Sequence, residues 1–431
     1  MKITSIKAYQ IYDSRGLPTV ACELIIDNKF KGLAKIPSGA STGSKEAVEL
    51  RDNISAEWMG KGVNKVIDNV NNFIANKLID FPAFEQEKLD NFLIELDGTP
   101  SKNKLGANAL LAISLAYCIA CSEAKNKEIF EYIRFDILKN SKEDFYYPIP
   151  LVNVFNGGQH SNNNIDFQEF MFIPLNQSNW INTIKVASEC FLSLQKILKD
   201  QDHSIAKGDE GGFSVNLSSI NEVLDLMSEA VNQTKYKLGH DIAFGLDVAA
   251  SEFYENGFYQ LSNGNNKQKL NSEQMINYYI ELCNKYPIIS IEDPFDENDW
   301  ESFHKLTFQL ASKNIQIVGD DLYCTNSKLL EKGINNKTTN AILIKLNQIG
   351  TLTECLQTIK MAQDNNLQTI ISHRSGETED SFIVDLCLAT NSQQIKTGSM
   401  SRSERLAKYN RISYIDQIKV KLLSPKVLGS K

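Results

Sequence analysis

The sequence predicts an α/β protein in two parts: an N-terminal α+β capping domain over residues 1–135 and a C-terminal (β/α)8-type barrel over residues 146–431. Three observations predict it. The chain, at 431 residues, exceeds what one hydrophobic core usually supports, so it should divide. Its first part alternates polar and apolar residues at strand period before turning to long helical patterns. The rest carries a regular beat of short apolar runs, each closing on a polar residue.

Within the first part, Ile3–Ile11 and Thr19–Ile26 read as strands. A loop rich in small residues follows, Pro37-Ser38-Gly39-Ala40-Ser41-Thr42-Gly43. It lacks the lysine pattern of a phosphate loop and suits a mobile lid over a polar site. The longest apolar stretch, Leu105–Cys121, is interrupted by Gly106, Asn108 and Ser114, which fits a buried helix better than a membrane span. Tyr146–Pro150, with its restricted backbone, marks the domain crossover.

In the second part the runs are Ile242–Asp247, Ile288–Glu292, Ile315–Asp320, Ala341–Lys345, Thr369–His373 and Gln394–Lys396, with ends 45, 28, 25, 28 and 23 residues apart. A strand, a helix and two loops need roughly 25 to 35 residues, so this is the spacing of βα units. Helical patterns such as Ser272–Tyr286 and Thr351–Asn365 fill the gaps. Repeated units imply a closed barrel. An open doubly wound sheet is the alternative, and no glycine-rich dinucleotide fingerprint accompanies it.

Composition narrows the function. Apolar residues at 42 % and charged residues at 23 % are ordinary for a globular enzyme, and a net charge of −8 argues against a nucleic-acid binder. The N-terminus lacks the continuous apolar core of a secretory signal, so a soluble, cytoplasmic protein is expected. The eight cysteines are scattered, with a single CxxC at Cys118 and Cys121 inside a helical run. They read as small core residues in a reducing compartment.

Active sites of such barrels lie at the C-terminal strand ends. Asp247, Glu292 and Asp320 end successive strands, so the three carboxylates are expected to converge with no lysine between them. A hard divalent cation, magnesium or manganese, would relieve their repulsion. One such acid alone would read as a solvated loop or a helix cap; three in succession favour a metal. Lys345, His373 and Lys396 end the next strands. Each lysine either neutralises the acids or, beside bound cations, serves as a base near neutral pH. His373 is either a satisfied core histidine or, with Arg374 and Ser375, part of an anion site. Gln168-Glu169, and Glu210 in the glycine turn Lys207–Gly212, add acids from outside the beat.

Taken together the motifs are no longer generic. Ser38–Gly43, Gly208–Gly212, Ser290–Pro294, Gly319–Leu322, Lys345–Gly350 and Ser372–Asp380 closely resemble the enolase family, the glycolytic phosphopyruvate hydratases. Lys396–Arg405 looks like the bacterial form, and the likeness runs from Tyr12–Gly16 to Ala407–Asn410. The resemblance implies reversible dehydration of 2-phosphoglycerate to phosphoenolpyruvate through a magnesium-stabilised ene-diolate, with two Mg2+ per site. It implies Asp247, Glu292 and Asp320 as ligands of the first ion and Ser41, from the lid, as a ligand of the second. Lys345 matches the base that takes the C2 proton. Glu210 matches the acid that protonates the departing C3 hydroxyl, its pKa expected to be raised among other carboxylates, with Glu169 and Gln168 beside it. Lys396 steadies the substrate carboxylate, Arg374 and Ser375 hold phosphate, and His160 and His373 close around the substrate. Besides binding metal, Glu292, Asp320 and Ser41 count among the substrate-facing residues.

Some positions depart from the family pattern: Leu17, Ser161, Asn162 and Arg411. None removes a catalytic group, and they bear on lid closure. The family also implies a homodimer or an octameric ring of dimers. Two other readings accompany this one. A different acid dehydratase of the same superfamily would be expected to lack Arg374, Ser375 and Ser41. A plasminogen-binding role at the cell surface, with a surface or secreted pool, rests on the terminal Lys431.

Overall fold

Alternation at strand period builds a three-stranded antiparallel meander in the N-terminal part: β1 (Ile3–Tyr12), β2 (Pro18–Ile26) and β3 (Phe30–Lys35). The first two strands match the expectation to within one residue at each end. β3 is additional, reached through a tight turn in which Asp27 and Asn28 take positive φ. The helix Ala107–Ala124 packs across β2 and β3, buried nearly all round as its uniformly apolar sequence requires. It is long and apolar enough to span a membrane by composition, yet most of it lies inside the protein. The computed structural model describes residues 1–40, 43–263 and 266–425.

The second part opens with β4 (Ile149–Asn156), β5 (Glu169–Pro174) and β6 (Ile242–Asp247). A small excursion sheet follows, β7 (Tyr254–Glu255), β8 (Phe258–Asn263) and β9 (Asn266–Leu270). Then come β10 (Ile288–Glu292), β11 (Gln316–Gly319), β12 (Ala341–Ile344), β13 (Gln368–Ser372) and β14 (Gln394–Lys396). The barrel closes in the order β4-β5-β6-β10-β11-β12-β13-β14, with β14 returning to β4. The beat predicted the six strands from β6 onward apart from the excursion sheet, with bounds shifted by no more than one residue.

The barrel departs from a uniform (β/α)8 pattern in one place. β5 runs antiparallel to both β4 and β6. No crossover helix separates β4 from β5, so the chain must reverse direction there. Hence the first residue of β5, Glu169, lies at the mouth where the other strands end.

Side chains alternate in and out along each strand. Ile149 and Leu151, Met171 and Ile173, Ala243, Val318, Ala341 and Leu343, and Ile370 form a buried cluster made of alternate strand residues, which fills the barrel interior. Two residues further toward the mouth, the same inward rows reach Asn153, Glu169, Asp320, Lys345 and Ser372; Asp247, Glu292 and Lys396 close theirs. Cross-strand register aligns Asn156, Glu169, Asp247 and Glu292 over four neighbouring strands. The packed apolar layer thus sets a floor on which a ring of polar side chains stands.

All eight cysteines are free, and all but the partly covered Cys283 are buried, as small core residues should be.

Candidate active site

On the wall built from strand ends, the acids do not converge alone. Lys396 Nζ stands 2.7 Å from Asp247 Oδ2 and 3.0 Å from both Glu292 Oε1 and Glu169 Oε1. Lys345 pairs directly with Asp320. This corrects the expectation of three carboxylates with no lysine between them. The acids of the ring and Lys396 are buried and Lys345 is partly covered, and buried carboxylates left uncompensated are costly, so the ammonium groups on the adjacent strand ends insert among them. Burial pushes the Lys396 ammonium down, but Asp247, Glu169 and Glu292 outweigh it and hold its pKa well above the usual lysine range. The same contest, with Asp320 as the main partner, leaves Lys345 raised. Glu292 is pushed well above the carboxylate range, first by burial and then by the charge of Asp247.

The donors still fit a hard cation. They are all carboxylate oxygens, and Glu292 Oε2 is buried with no hydrogen-bond partner among the described residues. Among those residues, ligand atoms within 4.8 Å of one another occur in two clusters, Asp293–Asp320–Asp321 and His160–Glu169–Glu210. Asp247, Glu292 and Asp320 do not form one as they stand, because the lysines occupy the space between them. Gln348 Nε2 donates to Asp320 Oδ1 (2.9 Å), and its Oε1 accepts from Thr325 (2.8 Å), which fixes the orientation of that carboxylate.

The opposite wall comes from loops. Glu210 sits in the turn Gly208–Gly212, pressed so closely on β4 that a Cβ at Gly212 would meet Asn153 Oδ1 at 2.6 Å, while Gly211 takes a φ of +88°. Asn153 donates to Glu210 Oε2 (2.9 Å); His373 Nε2 lies 3.3 Å and His160 Nδ1 3.6 Å from Glu210 Oε1. His160 Nδ1 is also 3.8 Å from Glu169 Oε1. Burial raises the Glu169 carboxyl far above its usual range, and the neighbouring Glu210 charge adds to this. Burial acts on Glu210 in the same sense but is outweighed by His160, His373 and the Arg405 charge, which hold it low. The raised member of the pair is therefore Glu169, not Glu210 as the sequence suggested. Burial lowers both histidines, His373 to about 4, so both imidazoles are neutral at pH 7.

Between the walls lies a narrow cavity, reached by His160, Gln168, Glu210, Lys345 and Lys396. Gln168 reaches Asp247 Oδ2 at 3.3 Å. Arg374 and Ser375 stand at the rim. The Arg374 guanidinium donates to Asn347 Oδ1 (2.8 Å) and in fork fashion to Glu46 (3.0 and 3.1 Å), while Ser375 Oγ accepts from the backbone of Ala40 (2.7 Å). Ser38 and Gly376 bridge backbone to backbone, so the loop from the N-terminal part is laid on the β13 end of the barrel. Ser41 and Lys431 lie outside the described residues. Thus Lys345, Glu210, Glu169, Gln168, His160, His373, Arg374, Ser375, Asp247, Glu292, Asp320 and Lys396 meet at one mouth.

Of the unusual positions, Arg411 is remote from the cavity and pairs with Asp385 (2.6 Å) and Glu128 (2.9 Å). Ser161 hydrogen-bonds to Ser214, beside the His160 loop. The sequence reading missed Asn153, Glu46 and Arg405. Glu46 and Arg405 lie on non-barrel segments with no period that points at the mouth. Asn153, two residues beyond Leu151, could have been found by extending the inward row of β4.

Two family models match the chain: "Enolase, N-terminal domain" over residues 3–133 and "Enolase, C-terminal TIM barrel domain" over residues 144–421. Among curated proteins, the chain is 51 % identical to "Enolase" of Mycoplasmoides gallisepticum, covering 100 % of this chain and 92 % of that one. It is 52 % identical to "Enolase" of Mycoplasma genitalium (96 % and 92 % covered) and 50 % identical to "Enolase" of Ureaplasma parvum (98 % of each).

Proposed function

The chain belongs to the enolase family, and from that premise we propose how its own residues carry out the reaction. The activity is that of a phosphopyruvate hydratase, a glycolytic lyase interconverting 2-phosphoglycerate and phosphoenolpyruvate, and the family uses a divalent metal. One observation carries the assignment of roles: Lys345 and Glu210 reach the same cavity from opposite walls. A proton can therefore leave C2 on one side of the substrate and be delivered to the C3 hydroxyl on the other.

Lys345 is the base. Its ammonium is kept charged by Asp320, so it becomes competent only when that carboxylate turns to another partner. Asp247, Glu292 and Asp320 would hold one Mg2+ and Ser41 would join a second; when bound, they supply the positive charge that stabilises the substrate carboxylate as C2 loses its proton. Lys396 adds a fixed positive charge at the same place. Glu210 delivers the proton to the hydroxyl, drawing on the one that the Glu169–Glu210 pair retains. Arg374 offers a planar donor fork and Ser375 a hydroxyl to phosphate, the pair that a dehydratase of unphosphorylated acids would not need. His160 and Gln168 complete the substrate cage.

The division into a capping domain (1–135) and a catalytic barrel (146–431), a cytoplasmic location and a homodimer or octamer belong to the same proposal. Plasminogen binding at a cell surface would depend on Lys431 alone; loss of binding on deleting that residue would support it. The main test is absorbance of phosphoenolpyruvate formed from 2-phosphoglycerate with and without magnesium. Magnesium-dependent product is expected, and folded protein that makes none overturns the assignment.

A further inference from the structure

Arg405, on the helix Ser403–Tyr414, is wholly buried. Its Nη1 lies 2.6 Å from His373 Nδ1 and 2.6 Å from the carbonyl of Arg374; its Nη2 donates to the carbonyls of Ser375 (2.6 Å) and Asp209 (3.1 Å). A guanidinium has donors and no acceptor, so His373 Nδ1 must present its lone pair. The ring proton of neutral His373 then sits on Nε2. That nitrogen is buried, lacks an acceptor of good hydrogen-bond angle among the described residues, and stands 3.3 Å from Glu210 Oε1 where both side chains line the cavity. The same guanidinium ties the segment after β13 to the Glu210 turn through Asp209, so it also sets the spacing between imidazole and acid.

We propose that Arg405 is a positioning residue for the dehydration. It holds His373 in the Nε2–H tautomer, with that N–H directed to the Glu210 side of the cavity as a donor to the departing C3 hydroxyl oxygen. The inference rests on the function proposed above. In the step itself the proton retained by the Glu169–Glu210 pair is passed by Glu210 to the C3 hydroxyl, and the C3–O bond breaks with its electron pair. Water leaves, and the pair left on C2 closes the C2=C3 bond. His373 neither gains nor loses a proton. The groups facing the ring agree with a neutral imidazole: burial and the Arg405 charge disfavour protonation and outweigh Glu210 and Glu377.

The test is the long-range 1H–15N spectrum of full-length protein labelled with 15N-histidine, recorded at pH 7 without substrate. There are five histidines, and loss of a signal in His373→Asn assigns the one that matters. An unprotonated Nδ1 with a protonated Nε2 is expected; an Nδ1–H tautomer or an imidazolium at pH 7 overturns the proposal. Arg405→Met should lose the tautomer preference and let the ring titrate nearer 6.5. It should also lower kcat roughly 10- to 100-fold with little change in KM, with partial rescue in Arg405→Lys. A folded Arg405→Met that keeps the tautomer, or the wild-type kcat, overturns it too. Should Arg405→Met fail to fold, the wild-type spectrum still decides. Because that spectrum needs no turnover, its outcome is separate from whether the chain dehydrates 2-phosphoglycerate.

Discussion

On the strand-end wall of the mouth, the carboxyl groups of Asp247, Glu292 and Asp320 stand in direct contact with the ammonium groups of Lys345 and Lys396, above a packed barrel floor. On the loop wall, Glu210 is met by two neutral imidazoles, an amide and a buried guanidinium acting from behind. The first wall can exchange partners without moving its backbone, because a cation can take over carboxylate oxygens that ammonium groups now satisfy. The second wall depends on three loops keeping their separation. Charge chemistry at C2 is thus assigned to rigid strands, and proton delivery at C3 to loops held together by hydrogen bonds and one buried ion pair.

The largest expected effect comes from breaking the strand-end wall. Lys345→Ala should lower exchange of the C2 proton with solvent deuterium roughly 10^3- to 10^4-fold while the far-ultraviolet spectrum stays unchanged. Normal exchange would move the base elsewhere. Glu210→Gln should cut phosphoenolpyruvate formation roughly 10^2- to 10^3-fold yet leave C2 exchange running. Loss of both in that variant would mean that the two walls are not separable.

The loop wall has its own foundation. Glu377, whose Oε1 accepts from the backbone of Arg374, is paired with Lys408 at 2.8 Å, both fully enclosed. Lys408→Met would leave that carboxylate unpaired and should destabilise the protein by roughly 3 kcal/mol, read as a shift of the first urea transition. A variant as stable as wild type would show that the pair does not anchor the wall.

The smallest effect concerns acid. His373 is held to about 4 when folded, against an ordinary value of 6.5, chiefly by burial. Between those values the unfolded chain binds the extra proton, so folding stability falls as pH drops from 6.5 toward 4. Glu377 is lowered too: burial opposes this, but Lys408 and Arg405 outweigh it, and its contribution is lost below the ordinary glutamate value. His373→Asn should flatten the upper part of this acid slope, by on the order of 1–2 kcal/mol, in thermal melts taken from pH 7 to pH 5. An unchanged slope would mean that other groups carry it.

The two walls also differed in how far they could be read in advance. Asp247, Glu292, Asp320, Lys345 and Lys396 were legible because each terminates, or directly follows, an apolar run at βα spacing, and parity along a strand points them inward. Glu169 broke the rule: β5 is reversed, so its first residue faces the mouth. His160 was assignable through motif likeness alone, while Glu210 and Arg374 gave only a weak local signal, a glycine turn and a neighbouring histidine, since loops have no period. Arg405 fell inside the motif Lys396–Arg405, but nothing local in its helix pointed it at the mouth, since Lys408 and Arg411 of the same helix serve Glu377 and Asp385 instead.

By itself, then, the sequence determined the number and direction of most barrel strands and the chemical types around the mouth, because periodicity and strand-end position are local properties of the chain. Only the tertiary structure decided which charges touch. That lysines stand between the acids, that the Glu169 and Glu210 carboxyls are pushed in opposite directions, and that a guanidinium dictates the tautomer of His373 all depend on ångström separations between segments 25 to 227 residues apart in the numbering. Coulomb and hydrogen-bond energies vary steeply over those distances, and no local pattern encodes them.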